Sequence, residues 1–142
     1  MFDPRDAFIA ILDGKVKVND DKGVEQNIPV YYGEEARKDK ALPLVTLSLV
    51  LSPKHVADIG GGQYHSEALV DCHIYTVQQL YQSMPGFIRR ISDKVEDLVE
   101  ASEKTVTGCD FVQCLGARDL EEPDNKNVCH RVIEIHAYKT KT

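Results

Sequence analysis

Two segments near the middle of the chain alternate with the period of two that predicts β-strands. In the segment from Pro43 to Leu51, one face is wholly apolar: Val45, Leu47, Leu49 and Leu51. In the segment from Ala68 to Val77, the inward positions are Val70, Cys72 and Ile74, and the outward positions are Asp71, His73 and Tyr75. We expect these two strands to pair as an antiparallel hairpin at the centre of a sheet.

The segment between the two strands, Ser52 to Glu67, is much longer than the about two to five residues of an ordinary hairpin loop. It contains the triple glycine Gly60 to Gly62, without the following lysine and helix start that a phosphate-binding loop requires. The glycines therefore indicate flexibility. Loops of this length usually either have a function of their own or are disordered.

Two amphipathic helices are predicted from apolar residues that recur at steps of three and four. The first has Asp3 as its N-cap and Pro4 as its first helical residue, and it ends before Gly14. The second and longer helix spans Phe87 to Ala101, and its apolar positions are Phe87, Ile88, Ile91, Val95, Leu98 and Val99. We expect both helices to pack against a sheet.

Shorter segments complete the pattern on either side. Lys15 to Val18 and Val24 to Tyr32 are extended, and Pro29 makes the second of these an edge strand or an irregular strand. The C-terminal part contains a short strand over Cys109 to Gly116, an acidic loop over Ala117 to Asn127 and a long closing strand over Val128 to Tyr138. The sequence thus predicts one α+β domain over residues 1 to 142, with a single mostly antiparallel sheet, a long central hairpin and two flanking helices.

Composition and charge narrow the classes of function. A chain of 142 residues with 42% hydrophobic and 28% charged residues is typical of an ordinary soluble domain. Its net charge of −6 disfavours general nucleic-acid binding, because phosphate repulsion is not offset. The sequence lacks the pattern of a signal peptide and any run of about 18 apolar residues that would span a membrane. We therefore expect the chain to fold in a cytoplasm with reduced cysteines.

Cysteines and histidines are the candidates for metal or nucleophilic chemistry. A structural zinc site needs four converging ligands, and neither the Cys72-His73 nor the Cys129-His130 dipeptide can present both side chains on one face of a strand. G-x-S-x-G, P-loop and H-E-x-x-H motifs are absent from the sequence. We therefore predict no catalytic residue, no metal ligand and no cofactor.

Two alternatives for the cysteines stay open. Those of the last two strands could form a disulfide once the protein leaves a reducing compartment: Cys109, Cys114 and Cys129. A small metal- or thiol-dependent enzyme could instead use Cys129 with a histidine on an adjacent strand.

The outward positions of the long strands are polar and rich in aromatic rings: His73, Tyr75, Glu134, His136 and Tyr138. Aromatic side chains are enriched where proteins meet. We therefore expect another subunit to dock on this part of the sheet.

The chain resembles the tail terminator and tail-completion proteins of long-tailed bacteriophages. The resemblance rests on the order of elements over nearly the whole chain: the strand PLVTLSLVL, the long hairpin loop, the strand ALVDCHIYTV, the amphipathic helix and the closing strand VCHRVIEIHAYKT. In that family small α+β subunits form a ring, usually a hexamer, that caps the tail tube and joins it to the neck of the capsid. The resemblance implies a structural virion protein that is not an enzyme, that is assembled in the host cytoplasm, and whose partners are the tail tube protein and a neck protein.

The resemblance also implies roles for two loops. The hairpin loop would contact a neighbouring subunit or ring, through His55, Asp58, Gly60, Gly61, Gly62, Tyr64 and His65. The acidic loop would face the channel, where negative charge lets DNA pass without specific binding: Asp119, Glu121, Glu122 and Asp124. A head-completion or stopper protein of the neck is the alternative within the same assembly. The count of four cysteines departs from a typical member of the family.

Overall fold

The fold is taken from a computed structural model, which describes residues 3–20, 22–33, 40–51, 54–56, 64–77, 86–102, 111–120 and 128–141. The helices in this part of the chain are α1 (Arg5–Leu12) and α2 (Gly86–Ala101). The strands are β1 (Lys17–Asn19), β2 (Glu25–Asn27), β3 (Val30–Tyr32), β4 (Leu44–Leu51), β5 (Lys54–Val56), β6 (Tyr64–Val77), β7 (Phe111–Leu120) and β8 (Val128–Lys141). This is the predicted α+β class.

The main sheet has the strand order β3-β4-β6-β8-β7, and β5 also pairs with β6. β4 and β6 are antiparallel, with Val45 opposite Ile74 and Leu47 opposite Cys72, which confirms the predicted hairpin. β6 and β8 are antiparallel along all 14 residues of each strand. β3 joins β4 in parallel and forms an edge of the sheet, as Pro29 predicted, while β1 and β2 form a separate two-stranded sheet.

Both helices pack on the same face of the main sheet. Along α2 the predicted apolar stripe faces the core, and its members are Ile88, Ile91, Val95 and Val99. α1 contributes Phe8 and Leu12 to the same hydrophobic cluster. The strands of the main sheet contribute the other side of this cluster, and their residues in it include Val45, Leu47, Val70, Cys72, Ile74, Ile133 and Ile135. Burial of each of these side chains contributes roughly 1.5 to 3 kcal/mol, so this cluster is the main source of stability.

The ends of α1 are close to the predicted ones. Pro4, not Asp3, occupies the N-cap position, and Asp3 accepts a hydrogen bond from the backbone N–H of Arg5 at 3.1 Å through its Oδ1 atom. Gly14 has a φ angle of +74° just after the last turn. The helix has already ended at Asp13, whose backbone is extended with φ −62° and ψ 127°, and Gly14, which has no Cβ atom, then adopts the left-handed conformation without strain.

Two segments that were predicted as loops contain strand. β7 continues four residues beyond the predicted end at Gly116, so that Asp119 lies opposite Arg131 in the sheet instead of in an acidic loop. β5 and the first residues of β6 lie inside the predicted loop from Ser52 to Glu67, where they pair with each other. The hairpin is therefore longer than its alternating pattern indicated.

Candidate subunit interface

The predicted interface residues of β6 and β8 lie on the face of the main sheet opposite the helices, which we call the distal face. Five consecutive cross-strand pairs of the β6–β8 register lie along the middle of this face: Glu67 with Tyr138, Leu69 with His136, Asp71 with Glu134, His73 with Val132, and Tyr75 with His130. The side chains of His73, Tyr75, Glu134, His136 and Tyr138 thus share one surface. Their role in docking a subunit stays a prediction.

Three rings form a cluster at one end of the distal face. The Nδ1 atom of His73 and the Nε2 atom of His130 are 2.8 Å apart, which is the distance of a hydrogen bond. Two neutral imidazoles can form this bond only if one donates its N–H and the other accepts. The ring of Tyr75 is stacked on His130, with 4.2 Å between ring centroids and 23° between ring planes. These contacts hold both imidazoles in fixed orientations.

Tyr75 lies on the distal face, as the alternation of β6 predicts, but it is not exposed there. Its side chain is fully buried within the subunit, and His130 is only 8% exposed. Leu44 and Thr46, on the same face of β4, are also fully buried. Tyr75 therefore packs inside the subunit and is not available for direct contact with a partner. Its contribution to the distal face is the stacking contact with His130.

A second cluster lies at the other end of the distal face. The Nε2 atom of His136 is 3.7 Å from the Oε2 atom of Glu67, and the rings of His136 and Tyr138 are 4.4 Å apart between centroids. The Tyr138 hydroxyl donates a hydrogen bond to Glu67, and this bond raises the pKa of Tyr138 because only the neutral hydroxyl can donate. These three side chains present a polar, aromatic and acidic surface.

Charged residues lie between the two clusters on the distal face. The Nη1 atom of Arg118 on β7 donates a hydrogen bond to the Oε1 atom of Glu134 at 2.7 Å. The side chains of Arg118 and Glu134 are 58% and 41% exposed. An exposed pair of this kind contributes little to folding but leaves charge available to a partner. Asp71 lies directly opposite Glu134 on the adjacent strand, which adds a second carboxylate to the middle of the face.

The residues predicted for the two loops are only partly within the described residues. Asp119 belongs to β7, and its Oδ1 atom accepts a hydrogen bond from the Nη1 atom of Arg131 at 2.9 Å. His55 lies on β5 opposite His65 on β6, and Tyr64 begins β6. The remaining loop residues lie outside the described residues: Asp58, Gly60, Gly61, Gly62, Glu121, Glu122 and Asp124. Their predicted roles stay predictions.

Cys72, Cys114 and Cys129 are free thiols whose surroundings disfavour the thiolate. Burial raises the pKa of Cys72, which lies in the hydrophobic cluster. Burial also raises the pKa of Cys114 to about 12 and raises that of Cys129. Because the thiolate is the nucleophile, these three cysteines are poorly suited to attack a substrate.

The strand register separates two of the cysteines proposed for a disulfide. Cys114 lies opposite Ile135, whereas Cys129 lies opposite Thr76. Six residues of β8 at about 3.3 Å each place these positions about 20 Å apart along the strand, far beyond the reach of a disulfide. Cys114 and Cys129 therefore cannot pair with each other within one subunit. Cys109 lies outside the described residues.

The sequence prediction missed three residues that contribute to the distal face: Glu67, Arg118 and His130. The alternation that places His136 and Glu134 outward also places His130 outward two steps earlier, so the signal for His130 was present. Arg118 could not be found in this way because its segment was predicted as a loop. Among the described residues, no group of three or more histidine, cysteine, aspartate or glutamate side chains is arranged to hold a metal ion.

None of the helices in the described ranges has the length and apolar character needed to cross a lipid bilayer. Comparison of the chain with models of known protein families gives no match, and comparison with curated proteins gives no significant match.

Proposed function

We propose that this chain is a structural subunit of a phage tail or neck, in which copies form a ring that caps the tail tube and joins it to the capsid neck. The basis is the resemblance of its element order to the tail terminator family. The fold supports this proposal, since the predicted hairpin, helix and closing strand form one α+β unit. A ring location at the tail and neck junction of the virion follows from the same resemblance.

The distal face is the observation that carries the proposal. The helices cover one face of the main sheet, whereas the opposite face presents half-buried His136, Tyr138 and Glu134 on its two longest strands. Interfaces are enriched in aromatic side chains, and their polar rims carry charge. A neighbouring subunit that packs here would complete the burial of these rings.

The chemistry of the described cysteines favours a structural role over the alternative of a thiol-dependent enzyme. A catalytic cysteine needs a lowered pKa or an adjacent base, whereas burial raises the pKa of Cys72, Cys114 and Cys129. Cys129 also lies on the helix-bearing face of β8, opposite Thr76, whereas His130 and His73 lie on the distal face. These two observations are the reason for preferring the ring.

Light scattering coupled to size-exclusion chromatography tests the proposal. We expect particles several times heavier than the 15.9 kDa subunit, which negative-stain electron microscopy would show as rings with a central hole. A monomer at micromolar concentration would contradict the proposal. Mixing the rings with purified tail tubes or with portal particles separates the tail terminator from the alternative of a head-completion or stopper protein.

A charge-reversal variant tests whether the distal face is the contact. Glu134→Arg places a second positive charge beside Arg118 on the distal face, and we expect it to weaken assembly at least tenfold while the subunit stays folded. Glu25→Arg is the matched control, because Glu25 is an exposed strand residue of the separate two-stranded sheet. Equal assembly of the two variants would place the contact elsewhere.

A further inference from the structure

β7 forms one edge of the main sheet and, within the described ranges of the chain, pairs with β8 alone. It spans 10 residues, whereas β3 at the opposite edge spans three. The outer side of β7 is thus a long row of backbone N–H and C=O groups. Such an edge is a template for pairing with an extended segment of another chain.

The two charged side chains of β7 do not protect this edge. Charged residues on an edge strand commonly prevent other strands from pairing there. In β7, however, Arg118 donates a hydrogen bond to Glu134 at 2.7 Å, and Asp119 accepts one from Arg131 at 2.9 Å. Both charges are therefore offset by residues of β8 within the subunit, and they lie on the two faces of the sheet rather than at its rim.

A β-bulge reverses the alternation of side chains in the middle of β7. Leu115 and Gly116 are together opposite Glu134, so both lie on the distal face. Before the bulge the odd-numbered residues lie on the distal face, and after it the even-numbered residues do. Over residues 112–119 the order of faces is therefore the same when β7 is read from either end.

We propose that two copies of this chain pair through their β7 edges, antiparallel and related by a two-fold axis between Leu115 and Gly116. Residues that are opposite each other in an antiparallel pair lie on the same face of the sheet. The symmetric order of faces meets this condition when Leu115 lies opposite Gly116 of the second copy. A shift of the register in either direction places residues of different faces against each other at or beside the axis.

The side chains that this register brings together are compatible. Leu115 is an apolar side chain that is 49% exposed in the subunit. It meets Gly116 of the second copy, and apart from the chain neighbours of Gly116 no heavy atom lies within 4 Å of the place where a Cβ atom would be. Arg118 and Asp119 both lie opposite uncharged residues, so the register avoids the like-charge pairs that destabilise paired strands.

This contact goes beyond the proposed ring and does not rest on it. A two-fold contact uses the same surface of both copies and is complete with two of them. A ring of more copies needs a further contact, for which the distal face is the candidate. The β7 contact is therefore tested by a measurement that gives the same reading whether or not rings form.

Cysteine cross-linking is that measurement. The double variant Gln113→Cys, Arg118→Cys places two thiols opposite each other across the axis, at the Cα separation of about 4.5 to 5.5 Å that suits a disulfide. Within one subunit these positions are opposite His136 and Val132, about 13 Å apart along β8, which is too far for a disulfide. Oxidised glutathione takes up the two electrons and becomes two glutathione thiols. All proteins carry Cys109→Ser, which removes a competing thiol just before β7.

We expect the double variant to form about ten times more disulfide-linked dimer than either single variant, as a non-reducing gel would show. Gln113 and Arg118 are both exposed, so the variants should stay folded. In the double-cysteine background, Leu115→Lys should lower the yield about tenfold, because it places a charge at the axis of the paired edges. Val24→Lys is the matched control, since Val24 is 55% exposed and lies beside the separate two-stranded sheet.

Circular dichroism checks the folding of each variant, and Leu115→Gln is the second variant for the case that the lysine variant unfolds. Three results would each overturn the proposal: equal cross-linking in the double and single variants, absence of cross-linking in the folded double variant, or unchanged cross-linking in a folded Leu115 variant. A particle without rings that still forms the disulfide would contradict only the proposed function.

Discussion

Arg131 on β8 connects the sheet to Ser92 on α2, because its Nε atom donates a hydrogen bond to the Ser92 Oγ atom at 3.1 Å. The Nη1 atom of the same guanidinium donates to Asp119 on β7. Ser92 is fully buried in the middle of the otherwise apolar stripe of α2. One side chain thus sets the position of the long helix relative to two strands.

Ser92→Ala should lower the free energy of unfolding by about 1 to 2 kcal/mol, since it removes a hydrogen bond from a charged donor in a buried position. Arg131→Ala should lower the free energy of unfolding by more than Ser92→Ala does, because it leaves the Ser92 hydroxyl without this donor. Urea unfolding followed by circular dichroism measures both. Arg118→Ala is the control, because its exposed pair with Glu134 is worth at most about 1 kcal/mol.

Leu47→Asp or Ile91→Asp should abolish folding, because each places a charge in the hydrophobic cluster where both side chains are fully buried. Val50→Asp, on the same strand as Leu47, should be tolerated because Val50 is 56% exposed. Circular dichroism and thermal melting separate these outcomes. A soluble Leu47→Asp protein with a cooperative transition would mean that this face of β4 has been assigned wrongly.

The hairpin between β5 and β6 can be shortened without loss of register. Val56 and Tyr64 are opposite each other, so replacing residues 57–63 with Asn-Gly leaves a two-residue turn between paired positions. We expect the subunit to stay folded and the ring to weaken, as light scattering would show. Rings of unchanged stability would indicate that the loop only connects the two strands.

The acidic segment after β7 should keep DNA from binding. We expect the unmodified protein to show no salt-dependent affinity for duplex DNA at about 0.15 M salt, because it offers no excess of cations to release phosphate counterions. Changing Glu121, Glu122 and Asp124 to lysine should create measurable affinity in fluorescence anisotropy. Asp119 is left unchanged because it is paired with Arg131. Micromolar binding by the unmodified protein would count against the proposal that DNA passes through a channel in the ring.

Glu96 should destabilise the subunit at neutral pH. Its pKa is raised by partial burial and by the neighbouring carboxylates Asp93 and Glu100. Because the pKa of Glu96 is higher in the folded state than its ordinary value of 4.5, folding takes up protons in the pH range just above that value. The loss of folding stability caused by the Glu96 carboxylate is therefore present in full at pH 7 and decreases as the pH falls. Glu96→Gln should therefore add about 0.2 to 0.5 kcal/mol of stability at pH 7 and less near pH 4. Glu25→Gln is the control in urea unfolding at both pH values.

The long, strongly periodic elements could be predicted from the sequence because one face of each is buried. The apolar stripe of α2 and the inward positions of Leu47 on β4 and Cys72 on β6 follow from residue spacing alone. The extension of β7 could not be predicted, since Gly116 to Asp119 has weak strand propensity and is held by its pairing with β8. Tertiary pairing therefore overrides local preference in this strand.

The candidate site depended on information that residue spacing does not contain. Alternation places His73 and His130 on outward faces, but only the register between β6 and β8 brings their nitrogens together. The burial of Tyr75 was also not predictable, because it depends on what covers the distal face rather than on the period of β6. Which side chains share a face could be predicted, whereas distances and accessibility could not.

The position of β8 between β6 and β7 has a consequence for the order of folding. β8 is later in the chain than both of its neighbours, so β6 and β7 cannot be joined into one sheet until β8 has been synthesised. Until then, β6 has one edge with unpaired backbone groups, and its β8 partners are distant in sequence, as in the pair of Tyr64 with Lys141. Pairings of such high contact order form slowly, and an open edge is a template for association with other chains. Nascent subunits are therefore most vulnerable to aggregation in the interval before β8 is inserted.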